Sequence, residues 1–146
     1  MDTGKEKISW ARQYMPVLSS IAREFRENQP LKGVRIGMAL HVEAKTACLV
    51  EALAAGGAAV HITGCNPLST QDDVARALGE VPGVHCYARR GVSPSEYYAA
   101  IDRVLDSHPQ VVIDDGMDLI HRLHTTRRDC LPGVLGGCEE IGRAHV

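Results

Sequence analysis

The sequence predicts an α/β fold: a parallel sheet in three layers, with helices on both faces. Three observations carry this. Short apolar runs of β-branched and aliphatic residues recur along the 146-residue chain, and they alternate with longer helical patterns. One run, residues 110–113 (Gln-Val-Val-Ile), lacks polar alternation, as strands covered on both faces do. The 45% hydrophobic and 23% charged content suits one domain with its own core.

Taken in order, apolar residues at Ile8, Tyr14, Met15, Leu18, Ile21, Ala22 and Phe25 recur every three to four positions, which predicts an amphipathic helix over residues 7–28. Pro16 falls inside it and should kink it or divide it in two. Residues 29–33 form a turn and residues 34–40 a first strand. The Ala- and Leu-rich stretch 44–55 reads as a helix ended by Gly56-Gly57. A second strand covers 58–63, a loop 64–69, and Thr70 with Asp72 and Asp73 opens the next helix. A third strand follows at 84–88, a helix at 93–107, the fourth strand at 110–113, and a helix from Leu119 with Asp118 at its start. Strand and helix alternation implies right-handed βαβ units, a Rossmann-like or flavodoxin-like arrangement.

In such sheets ligands bind beyond the carboxyl ends of the strands, so the residues directly after each strand are the candidates for function. These are the segment from His41 to Thr46, the segment from Gly64 to Asp72, Arg89-Arg90-Gly91, and the segment from Asp114 to Asp118. His41 is placed to move a proton near neutral pH, and Asp115 supplies a carboxylate to orient or charge it. Asp114, Asp115 and Asp118 crowd three acids together, which should raise at least one of their pKa values. Asp118 is assigned to the helix start and Asp115 to function. Asn66, Ser69 and Gln71 offer neutral amides and a hydroxyl, the groups that match a sugar or purine.

Other chemistries are disfavoured. Sixteen basic against eighteen acidic side chains give a net charge of −2, which offers no basic field for nucleic acid or an anionic membrane. No apolar run approaches the roughly 18 residues of a membrane span, and the amino-terminal stretch lacks the apolar core of a secretion signal, which predicts a cytoplasmic protein. The five cysteines have no CxxC pair and are expected to be free buried thiols. His121 and His124 share a helical spacing but lack further ligands, so no metal site is expected there. Neither GxGxxG after a strand nor GxxxxGK[ST] occurs; any dinucleotide would have its main site outside this chain.

At these same segments the sequence resembles the S-adenosylhomocysteine hydrolase family. The carrying residues are Trp10 with Tyr14-Met15-Pro16, the run from Leu40 to Ala47, the run from Cys65 to Asp73, Ile113-Asp114-Asp115-Gly116, His124-Thr125 and Gly137-Cys138-Glu139-Glu140. The resemblance covers about residues 7–140 and makes residues 1–140 part of a substrate-binding domain. It implies a bound NAD that transiently oxidises the ribose 3′-hydroxyl, so that homocysteine can be eliminated and water added at the 5′ carbon. It further implies a cytoplasmic homotetramer acting on a small nucleoside substrate. By position, His41 and Asp115 handle protons at the 5′ carbon and the leaving thiol. Glu140 contacts the ribose hydroxyls, and Thr46, Asn66, Ser69 and Gln71 belong to the nucleoside pocket.

Two departures from the family pattern stand out. Where many members have Thr and then Glu or Gln around the base-reading loop, this chain has Glu43 and Lys45, as archaeal and thermophilic bacterial relatives do. Some of those favour an inosine nucleoside, which makes S-inosylhomocysteine an alternative substrate. Second, Glu140 is followed by Ile-Gly-Arg-Ala-His-Val instead of the family's Thr-Thr-Thr-Gly-Val. These residues match an in-frame reading of a common sequencing adapter, so residues 141–146 are expected to carry no function. With the NAD-binding domain absent, this chain alone is expected to be inactive. The competing readings are a stand-alone nucleoside-binding module and, fitting poorly, a phosphoacceptor domain whose paired acids should follow the first strand.

Overall fold

The computed structural model describes residues 3–140; the six residues assigned to an adapter-derived tail lie outside the described residues. Two helices come first, α1 (Thr3–Gln13) and α2 (Pro16–Asn28). Then β1 (Arg35–Leu40), α3 (Ala44–Ala55), β2 (Ala59–Gly64), α4 (Asp72–Gly79), β3 (Val84–Cys86), α5 (Pro94–Leu105), β4 (Val111–Asp114) and α6 (Asp118–Thr125) alternate. A 3-10 turn (Arg128–Gly133) leads into β5 (Gly136–Glu139). All four pairings in the sheet are parallel, in the order β3-β2-β1-β4-β5, so the α/β expectation holds.

Local chemistry sets the element ends. Pro16 divides the first helix as expected and occupies the first turn of α2, where its missing N–H costs no helical bond. Ser93 and Glu96 close a reciprocal capping box at the start of α5. At the start of α4 the expectation needs correction. Gln71, not Thr70, precedes the first helical residue, and Thr70 is buried against the β2 end, where a Cβ on Gly64 would lie 2.9 Å from its hydroxyl.

Strand β1 is the centre of the sheet, and its two faces differ in size. Ile36, Met38 and Leu40 join one core cluster with Val50, Ile62, Val74 and Leu78. Ala39 joins the other, with Ile101, Val104, Leu105, Val112, Leu119 and Leu123. Gly37 points to that second face; a Cβ there would meet Val104 at 3.0 Å and Pro109 at 3.1 Å. Small residues on this side let α5 lie close to the sheet. Helices α3 and α4 cover the first face, α5 and α6 the second, and α1 and α2 pack mainly on α3 and α4. Val111 and Ile113 sit only half-buried at the margin of the first cluster, so β4 is not covered on both faces as expected.

Strand β5 escapes sequence reading. Its residues Gly-Gly-Cys-Glu carry no apolar alternation, and it is held at the sheet edge by its backbone ladder to β4. The cysteines are all free, but only Cys48 and Cys130 are buried; Cys65 and Cys86 are intermediate, and Cys138, on this edge strand, is exposed. Among the described residues no helix is long and apolar enough to cross a membrane.

On β2, His61 stacks on His85 with ring centroids 4.4 Å apart, and its Nδ1 lies 2.9 Å from the Tyr87 hydroxyl. Burial, and then the neighbouring His85, hold His61 below its ordinary pKa of 6.5. The unfolded chain therefore takes up this proton before the folded one does. Stability from this group is present above pH 6.5 and is lost as pH falls through the folded value. Thermal melts at pH 7 and below should show a larger acid-side loss for the wild type than for His61→Phe, which keeps the stacked ring; equal losses would contradict this assignment.

Candidate functional site

Three successive neighbours in the sheet, β2, β1 and β4, end in Gly64, Leu40 and Asp114, and the next residues are Cys65, His41 and Asp115. The chain moves outward from β1 through β2 to β3, then returns to add β4 on the other side of β1. The crevice between β1 and β4 is thus the switch point of the sheet, and His41 and Asp115 stand on its two lips.

His41 Nε2 is 3.3 Å from Asp115 Oδ2. The other ring nitrogen, Nδ1, is 2.7 Å from Ser69 Oγ, and the Ser69 hydroxyl donates to the Asn66 carbonyl at 3.3 Å. Because that hydroxyl's proton is committed to Asn66, Nδ1–H donates to Ser69, and Nε2 is the nitrogen turned to the open face. The structure places His41 beside Asp115, and Ser69, expected only in the nucleoside pocket, bonds the imidazole directly.

Cys65 was not among the residues singled out for chemistry. Its Sγ is 3.8 Å from Asp115 Oδ2, and burial, with Asp115 beside it, pushes the thiol up to about 12. The rule that found His41 and Asp115, the first residue past a central strand, points to Cys65 equally. Its Sγ, the Asp115 carboxylate and a His41 ring nitrogen all lie within 4.8 Å of one another.

Asp114 is the fixed base of this arrangement. It is fully buried; Oδ1 accepts from the Asp115 amide at 2.9 Å and Oδ2 from the Ile120 amide at 2.8 Å. Crowding of acids does raise one pKa, but burial is the larger cause: it pushes Asp114 up to about 6, with Glu139 and Asp118 adding repulsion. Asp118 opens α6 as expected and also accepts from the Tyr97 hydroxyl at 2.8 Å.

Among the remaining predicted residues, Glu43 is the N-cap of α3. Its Oε1 accepts from the Lys45 and Thr46 amides, at 3.0 and 2.9 Å, and from the Thr46 hydroxyl at 3.4 Å. Lys45 is exposed on the first turn of that helix. The Gln71 amide donates to the Val42 carbonyl at 2.9 Å, which ties the loop after β2 to the loop after β1. Asn66 is exposed, and its side chain closes a turn onto the Leu68 amide at 2.8 Å. Glu140 is exposed beyond β5, its amide bonded to the Asp114 carbonyl at 2.8 Å. It is Glu139 whose carboxylate reaches Gly116, accepting from its amide at 2.6 Å.

Within the trio His41 is the most exposed, while Asp115 and Cys65 are half-buried. A concavity of about 370 Å³ opens beside it, bordered by Asn66, Tyr87, Arg89, Glu96, Tyr97 and Arg103. A larger one, of about 660 Å³, lies between α2 and α3 and contains none of the predicted site residues. A second set of ligand-type side chains, His108, Asp129 and Cys130, stands apart from the strand ends. There Arg127 bonds both Asp129 and Cys130.

The first βα turn shows how a dinucleotide stands toward this chain. The amides at the start of α3, where a phosphate would bind, already donate to the Glu43 carboxylate, and the turn from His41 to Ala44 contains no glycine. The residues present do not fit a dinucleotide at this position.

The fold and site together define a parallel α/β domain with a histidine–aspartate pair at its switch point. A profile of the S-adenosyl-L-homocysteine hydrolase family matches residues 1–135, and the chain belongs to that family. It is 61% identical, over its whole length, to the S-inosyl-L-homocysteine hydrolase of Methanosarcina acetivorans, covering 36% of that protein. Over 94% of the chain it is 58% identical to the S-inosyl-L-homocysteine hydrolase of Methanocaldococcus jannaschii and 52% identical to the adenosylhomocysteinase of Haloquadratum walsbyi. The alignments cover 33% and 32% of those two proteins. The chain thus spans about a third of the length of the curated relatives it matches.

Proposed function

We propose that this chain supplies the nucleoside-binding and proton-transfer half of an enzyme that reversibly hydrolyses an S-nucleosyl-L-homocysteine to the nucleoside and L-homocysteine. The observation that carries this reading is the His41–Asp115 pair at the switch point, with Ser69 fixing the imidazole. In this reading His41 and Asp115 give a proton to the departing thiolate and take one from the water that adds at the 5′ carbon. Thr46, Asn66, Ser69 and Gln71 border the nucleoside, and Glu140 approaches the ribose hydroxyls. The turn after β1 does not fit NAD, so the transient oxidation at the 3′ carbon, for which the family uses NAD, is assigned to the part of the relatives' length that this chain does not span.

The base is read by Glu43 and Lys45. Hypoxanthine presents an N1–H donor beside the O6 acceptor, whereas adenine presents an N1 acceptor beside an N6 donor. A carboxylate and an ammonium match the first pair and mismatch the second. All the bonds that cap α3 end on Glu43 Oε1, so Oε2 is the oxygen available to N1–H. The high similarity to S-inosyl-L-homocysteine hydrolases supports the same choice.

The test is a chimera joining residues 1–140 to the remaining part of the Methanosarcina acetivorans protein. With NAD it should hydrolyse S-inosyl-L-homocysteine with a higher kcat/KM than S-adenosyl-L-homocysteine. The double change Glu43→Thr and Lys45→Glu, which keeps a capping hydroxyl, should shift that ratio toward the adenosyl substrate by about tenfold or more. An unchanged ratio would remove these two residues from base recognition, and no turnover of either substrate would overturn the hydrolase reading.

A further inference from the structure

We propose that His41, Cys65 and Asp115 form a three-ligand site for a thiophilic divalent cation of the zinc type, open at its fourth position.

The argument is first one of shape. Around a tetrahedral zinc with bonds of about 2.0–2.3 Å, a nitrogen and an oxygen ligand stand about 3.4 Å apart and a sulfur and an oxygen about 3.6 Å apart. The His41 Nε2 to Asp115 Oδ2 distance is 3.3 Å, and the Cys65 Sγ to Asp115 Oδ2 distance is 3.8 Å. Two edges of the tetrahedron are therefore already present, and the ligand residues directly follow three adjacent strands of the sheet.

Orientation is the second argument. Metal-bound imidazoles donate their other N–H to an oxygen that fixes the ring, and Ser69 does this to Nδ1 at 2.7 Å. Nε2 is thereby aimed at a carboxylate, an approach that needs a cation or proton between them. The third argument is charge. At the comparable trio of His108, Asp129 and Cys130, Arg127 already contacts the acid and the thiol, and its guanidinium occupies the place of an ion. At the strand-end trio no Lys or Arg among the described residues bonds Asp115 or Cys65. A neutral histidine, a thiolate and a carboxylate combine intermediate, soft and hard donors, and the sulfur and nitrogen suit Zn²⁺ rather than Mg²⁺ or Ca²⁺.

An ion held there takes up the Nε2 position that proton transfer requires. If the hydrolase reading holds, on which this consequence rests, such an ion excludes the leaving thiol and inhibits the enzyme reversibly.

Cobalt(II) is the probe, titrated anaerobically into the purified 146-residue chain after reduction and removal of the reductant. The expected result is one ion per chain, with a thiolate-to-cobalt charge-transfer band in the near ultraviolet and the intense visible bands of four-coordinate cobalt. Zn²⁺ should displace it. Cys65→Ser should abolish the charge-transfer band, and Asp115→Asn should weaken binding at least tenfold, while Cys130→Ser and Cys138→Ser leave both unchanged. Circular dichroism identifies any variant that does not fold, and Asp115→Asn carries the test if Cys65→Ser is such a variant. A wild type without the band, or a band that survives in folded Cys65→Ser, would overturn the site. Inhibition of the chimera by Zn²⁺ is a separate readout: a cobalt site without inhibition keeps the metal site and overturns its regulatory consequence.

Discussion

Replacing His41 by alanine in the chimera with the Methanosarcina acetivorans protein is expected to lower kcat for nucleosyl-homocysteine hydrolysis by roughly 10²–10⁴-fold, the range general acid–base groups contribute. Nucleoside affinity should change only a few-fold. The reasoning rests on where the side chain spends its bonds. Nδ1 is committed to Ser69, and only Nε2, beside Asp115, faces the open end of the switch point. In the proposed reaction a group so held acts on a proton that moves, so its loss should fall on kcat and kcat/KM together. Ser69→Ala should then show a smaller fall in kcat, because the imidazole remains but turns more freely. Equal loss in affinity and turnover for His41→Ala would instead make His41 a recognition residue and leave Asp115 without its partner.

The pair was legible in the sequence because it obeys a rule about strands. Apolar runs locate β1 and β4, and the residue after each run is the candidate. What stayed hidden depended on contacts with no sequence spacing of their own. The link of Ser69 to His41 spans 28 positions, and that of Cys65 to Asp115 spans 50. Strand β5 was hidden for another reason: Gly136, Gly137 and Cys138 are exposed, so no burial pattern marks it, and its pairing is a property of the backbone. Glu43 combines an observed helix cap with the base-reading role proposed for it. Resemblance pointed to the base, and the structure shows the same carboxylate capping α3, so any test of recognition there must preserve the cap.

The capping role of Glu43 also explains how one fold can use a single helix end differently. Where a dinucleotide-binding turn leaves its amides free for phosphate, this chain fills them with its own carboxylate. The positive end of α3 is then spent on positioning Glu43, and the crevice beyond β1 is left to His41 and Asp115, the pair to which the proposed function gives proton transfer.

Asp114→Ala is expected to destabilise the fold by about 2–5 kcal/mol, because it strips two buried backbone donors of their acceptor at once. One is the Asp115 amide and the other the Ile120 amide in the first turn of α6, where no helical carbonyl is available. For a domain of this size the loss corresponds to a fall in Tm of roughly 5–15 °C. Asp114→Asn should cost less, since one amide oxygen replaces one of the two acceptors and the buried charge is removed. Burial holds the Asp114 carboxyl up at about 6 against an ordinary 3.8, so the folded state keeps its proton more tightly than the unfolded chain does. That contribution is fully present below pH 3.8 and is lost as pH rises through about 6, so the gap between wild type and Asp114→Ala should widen on acidification from pH 7 to pH 5. Denaturant unfolding at the two pH values, with hydrogen exchange at the Ile120 amide, measures both effects. A variant within 1 kcal/mol of wild type, with Ile120 protected as before, would show that the carboxylate does not anchor α6, and would remove the reason Asp115 is held facing His41.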